Sequence, residues 1–210
     1  MRGLADPDSK IYSLLNKAAM LMELNLLVLL CCLPVVTAGA ALCSMHTLLL
    51  KIYRGEEKHI VSDFFHAMKS NWKRASALWA LFFAYLGVLA GLWLGALALI
   101  PEGAVYVLFA VLLAVVLGMV CLDWALILQS RYDYTVRESL KNALLAWLQY
   151  PGSTFVYLIG LVIPVVLCCA VMALPVFAFL GVTLPHFLST TLYSRVFDEL
   201  EGVTPKIPEL

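Results

Sequence analysis

Hydrophobic positions along this chain fall into long runs separated by a few charged stretches, and the runs are too long to be buried strands. From Leu26 to Leu50 there is no Lys, Arg, Asp or Glu. At about 1.5 Å per residue, one helix through that stretch and its apolar shoulders would overshoot a hydrocarbon core of about 30 Å. Pro34 lies inside the run, where a missing N–H and a ring clash favour a break. Thr37-Ala38-Gly39-Ala40-Ala41 follows, small enough for two backbones to approach closely. The pattern predicts a helical hairpin in a membrane, with spans near residues 16–34 and 38–53. Later runs predict spans at about 75–100 and 104–128, joined by Pro101-Glu102-Gly103, and at about 153–173 and 177–195, with Pro175 near their connection. The expected fold is all-α: a polytopic transmembrane helical bundle of six spans in three hairpins, forming a single integral membrane domain over residues 1–210. A five-span alternative lays residues 38–53 along the membrane surface.

The two longer polar stretches carry amphipathic patterns of their own. Ser62 is placed to cap a helix with Phe64, Phe65, Met68, Trp72 and Ala75 at helical spacing and Lys69, Lys73 and Arg74 among the polar positions. Thr135 and Glu138 form a T-x-x-E capping box, followed by a stripe of Val136, Leu140, Ala143, Leu144 and Trp147. Both read as elbow helices at the cytoplasmic surface of the membrane, anchoring the spans or docking a transporter subunit.

Composition narrows the class. The chain is 63% hydrophobic and 13% charged, against about 25% charged in a soluble domain. Its 14 basic and 14 acidic residues cancel, and no basic run on an aromatic platform occurs, so nucleic acid is not an expected partner. The amino terminus has no small-residue cleavage site ahead of a soluble domain, and it is expected to be retained. In the six-span arrangement all 14 Lys and Arg fall on one side and none at a hairpin tip. Basic residues near span ends stay in the cytoplasm, so both termini are expected there.

Candidate chemistry is sparse. The six cysteines lie in apolar segments and read as packing residues. Cys43 and His46 are three apart and share a helical face, but two ligands do not make a zinc site, so neither metal nor cofactor is expected. The polar residues inside the spans are Glu23, Asn25, His46, Thr47, Asp123, Thr183 and His186. Such groups are costly in hydrocarbon and usually face the bundle interior or a water-filled cavity. Asp123 leads the list, either bonding a neighbouring helix or Arg131, or acting as a proton or cation site. His186 follows Pro185, whose ring frees a carbonyl one turn earlier that the imidazole could satisfy. Gly87, Gly91 and Gly95 at four-residue spacing form a small-xxx-small face suited to another span or a second copy of the chain. There is no nucleophile–base pair, H-E-x-x-H, phosphate-cradling glycine loop or cofactor fingerprint, so an enzyme is not expected.

The asparagine before the first apolar run, the Leu33-Pro34 with Thr37, Gly39 and Ala40, and the Asp63-Phe64-Phe65 with Met68, Lys69, Asn71 and Trp72 resemble the YesL-like family of small bacterial integral membrane proteins. The family has no assigned function. Its members are often encoded near carbohydrate uptake and breakdown genes, and the resemblance implies an accessory role in sugar handling within the bacterial inner membrane. Two functions follow as expectations. One is a non-enzymatic accessory or assembly component in the lipid bilayer, partnered by a transporter subunit or by itself. The other is a small transporter or channel lined by Glu23, Asn25, His46, Asp123 and His186.

Overall fold

The computed structural model describes residues 10–56, 59–152, 154–155, 158 and 181–200. The elements run α1 (Lys10–Cys32), a 3-10 turn (Val35–Thr37), α2 (Ala38–Arg54), α3 (Ile60–Leu99), a second 3-10 turn (Pro101–Gly103), α4 (Ala104–Arg131), α5 (Val136–Gln149) and α6 (Thr183–Leu200). No strand occurs among the described residues. Among the described residues four helical stretches, Tyr12–Cys32, Val35–Arg54, Ile60–Leu99 and Pro101–Arg131, are long and apolar enough to cross a membrane. Most of the expected fifth span and the first part of the sixth, with Pro175, Cys168 and Cys169, lie outside the described residues.

The break at Pro34 is built from local chemistry. Helix α1 stops at Cys32, and Pro34 takes an extended conformation at φ −78° and ψ 109°. The carbonyls at a helix end need new donors. Thr37 Oγ1 supplies one, its single proton lying within reach of the carbonyls of Cys31 at 2.6 Å and Pro34 at 2.9 Å. Trp79 Nε1 of α3 donates to the Val35 carbonyl at 2.8 Å, which ties the turn to the third helix. One residue into α2, a β-carbon on Gly39 would lie 2.6 Å from Trp79 Cβ and 2.7 Å from the Ala75 carbonyl oxygen. Only glycine permits that approach.

Helix α2 is the hub. It packs against α1, α3, α4 and α6, and most of its length is buried. On one side Met45, Leu48, Leu49 and Ile52 meet Leu21, Leu24 and Val28 of α1 and Ile60, Phe64 and Ala67 of α3. On the other, Ala40, Cys43 and Leu50 join a cluster of Trp124, Ala125 and Ile127 of α4 with Tyr193 and Phe197 of α6. Helix α2 ends at Gly55, whose φ of 69° is the left-handed conformation that a helix terminus favours. Its last turn is fastened by Lys51 to Asp63 at 3.1 Å and by Arg54 to Asp198 at 3.2 Å.

The first elbow differs from the expectation. It is not a separate helix capped by Ser62 but the first part of α3, which starts at Ile60 after His59 and runs 40 residues without interruption. That is about 60 Å, twice a hydrocarbon core. The apolar stripe also faces differently: Phe64, Ala67 and Ala75 are buried in the protein, while Phe65 and Trp72 are each 49% exposed. Helices α1 and α2 take the face that a membrane surface was expected to cover, because Gly39 and the small residues beside it bring α2 close to α3.

The second elbow is a distinct helix, α5, with the expected capping box. Thr135 Oγ1 accepts from the Glu138 N–H, and the Glu138 carboxylate accepts from the Thr135 N–H at 2.9 Å. These bonds hold the Glu138 carboxyl below its usual range. Helix α5 is joined to α4 by a buried bond from Ser139 Oγ to Gln129 Oε1 at 2.8 Å. Across the Pro101–Gly103 turn, Tyr85 of α3 packs on Gly118 of α4 and donates to the Ala114 carbonyl at 2.7 Å.

Candidate functional site

Three polar side chains from three helices converge where α2, α4 and α6 meet. His46 comes from the middle of α2, Asp123 from the second half of α4, and His186 from the first turn of α6. His46 is completely buried, His186 is 5% exposed, and the Asp123 side chain is 14% exposed. His46 Nε2 lies 3.3 Å from Asp123 Oδ1, and His186 Nε2 lies 3.8 Å from Asp123 Oδ2. The two imidazole centroids are 5.5 Å apart. One ligand-capable atom from each residue falls within 4.8 Å of the other two.

The start of α6 is what aims His186. The first N–H groups of a helix have no partner within it. Asn25, completely buried in α1, accepts the N–H groups of Val182 and Thr183 on its Oδ1, each at 3.0 Å. Thr183 Oγ1 donates to the Leu21 carbonyl at 3.0 Å. Two residues of α1 thus clamp the first turn of α6. Within that turn, His186 Nδ1 lies 2.8 Å from the Val182 carbonyl oxygen. A carbonyl accepts only, so Nδ1 is the protonated nitrogen and Nε2 is directed at Asp123.

Chemically, the centre is one carboxylate between two imidazoles in a mostly apolar surround. His46 can donate from Nε2 to Oδ1, and its Nδ1 has no hydrogen-bond partner among the described residues. The lone pair of a neutral His186 would face Oδ2, acceptor against acceptor, so the pair calls for a positive charge between them: a proton or a metal cation. Behind the rings, Tyr193 stands edge-on to His46 at 6.2 Å, with its hydroxyl 2.7 Å from Thr190 Oγ1.

The sequence-derived candidates separate in space. His46, Asp123 and His186 form the centre, and Asn25 supports it through α6. Glu23 is exposed and lines a cleft of about 580 Å³ with Asn16, Met20, His59 and Ser62. Cys43, whose spacing suggested a shared face with His46, is buried in the apolar cluster. Pro34 and Gly39 shape the turn into α2. Gly87, Gly91 and Gly95 face no neighbour: a β-carbon on any of them would meet nothing within 4 Å among the described residues. Thr190 and Tyr193 are not among the sequence-derived site candidates, although they lie four and seven residues after His186 and so on its helical face.

Over residues 21–93 the chain matches the family described as "Protein of unknown function, DUF624". That segment contains Asn25, Pro34, Gly39 and His46 but neither Asp123 nor His186. No curated protein and no solved structure matches the chain.

Proposed function

We propose that this chain is a multi-pass protein of the bacterial inner membrane, with six spans in three hairpins and both termini in the cytoplasm, that acts as a non-enzymatic accessory or assembly component. The observation that carries the reading is the near-closure of the polar centre. His46 and His186 are buried between α2, α4 and α6, and the Asp123 side chain is only 14% exposed. Two clefts of about 580 and 590 Å³ flank the helices, and neither is lined by a residue of the centre. Buried polar groups that join three helices suit a fixed assembly better than a solute path. The one-sided distribution of Lys and Arg supports the cytoplasmic termini. The YesL-like resemblance supports a link to carbohydrate uptake, with a transporter subunit as partner.

The test combines two measurements. Tagged protein solubilised from native membranes in mild detergent is expected to retain a transporter subunit at constant stoichiometry. Purified protein in liposomes is expected to pass no solute or ion above the lipid background. Sustained flux that Asp123→Asn abolishes would overturn the accessory reading in favour of a transporter.

A further inference from the structure

We infer that His46, Asp123 and His186 form a binding site for one divalent first-row transition ion of the zinc class. The inference does not depend on the accessory role. It starts from donor type: two imidazoles and a carboxylate suit zinc and its neighbours, whereas calcium and magnesium require oxygen-rich shells.

Spacing comes next. Ligand atoms each about 2.0–2.1 Å from a tetrahedral ion stand about 3.3 Å from one another. Here the carboxylate oxygens lie 3.3 and 3.8 Å from the two Nε2 atoms, and the three groups share a region 4.8 Å across. The 3.8 Å separation is too long for a hydrogen bond, and a small inward movement would bring it to coordination distance.

The surroundings of His186 give the third argument. A metal-bound histidine usually passes its other N–H to a carbonyl or carboxylate, which fixes the tautomer and aims the free nitrogen. His186 does this through Val182, and the Val182 N–H is itself held by Asn25. The chain therefore orients Nε2 of His186 toward the partly exposed Asp123 carboxylate, which is the arrangement an ion completes. His46 is the weakest of the three ligands. Coordination at its Nε2 puts its proton on Nδ1, which has no partner among the described residues.

The experiment uses the full chain purified in detergent, stripped with a chelator and titrated with zinc against a chromophoric competitor, with metal content measured after dialysis. One zinc per chain is expected. Cobalt in its place should give the intense visible bands of a four-coordinate site, a readout that needs no variant. His186→Gln is expected to lower zinc affinity by at least about tenfold, and His46→Gln by less than His186→Gln. Asn25→Ala should weaken binding while leaving all three ligands in place. Wild-type protein that retains no zinc and gives only the pale spectrum of six-coordinate cobalt would overturn the inference. So would unchanged zinc content in both histidine variants, which would assign the ion to exposed groups such as His59 and His66. Flux and partner capture are not read in this experiment, so its failure leaves the accessory proposal standing.

Discussion

Residues 105–117 of α4 are apolar without interruption, and none of them is buried; residues 120–129 of the same helix include Asp123 and Gln129, and most of them are. In a water-soluble helix the order would be reversed. The contrast shows that along α4 a wholly apolar stretch forms the outer surface, while the stretch that also carries Asp123 and Gln129 is where helices meet. Tyr106, Phe109 and Leu113 present side chains that are 79%, 67% and 61% exposed, as a lipid-facing surface allows. Trp124, Ile127 and Leu128 are buried in a cluster built with residues of α2, α3, α5 and α6, and Asp123 lies among them, where His46 and His186 meet it.

The same contrast applies to the glycines, which can be used to break it. Gly39→Leu should have the largest effect. Its side chain would collide with Trp79 and the Ala75 backbone, and overpacking of that kind costs about 3 kcal/mol. Denaturant unfolding in detergent, with the amount of protein in the membrane fraction as a check, measures it. A stable Gly39→Leu variant would show that α2 and α3 do not rely on close approach.

An intermediate effect is expected at Asn25. Asn25→Ala leaves two N–H groups at the start of α6 without their acceptor, at a cost of about 2 kcal/mol. Amide exchange at Val182 and Thr183 should accelerate in step with the loss of stability. Unchanged exchange would mean that α6 is held without α1.

Gly91→Leu should have the smallest effect, within about 0.5 kcal/mol, because nothing lies within 4 Å of its missing side chain. The variant should also keep its size on a gel-filtration column in detergent. A large destabilisation or a change in oligomer size would mean that this face receives another helix after all, and the proposed difference between the two regions would shrink to a difference between partners.

Much of the architecture was legible before folding was considered. The Pro34 break, the turn at Pro101-Glu102-Gly103 and the Thr135–Glu138 capping box are local devices, set by a missing N–H, a fixed φ or a side chain within reach of its own backbone. The first elbow was misread as a separate helix for a related reason. Amphipathic spacing shows that a face will be covered but not by what, and nothing local stops a helix between Arg74 and Leu78.

The candidate site was legible only as a set of residue types. Spans and polar residues within them follow from sequence, because hydrocarbon penalises charge and unpaired backbone wherever they occur. Which of the five candidates meet is a different matter. His46 and Asp123 are 77 positions apart, and Glu23, only two residues before Asn25, points into a different cleft. One turn of helix rotates a side chain through every direction, so sequence sets how many polar groups the membrane interior holds. The packing of α2 against α4 and α6 alone decides which of them share a charge.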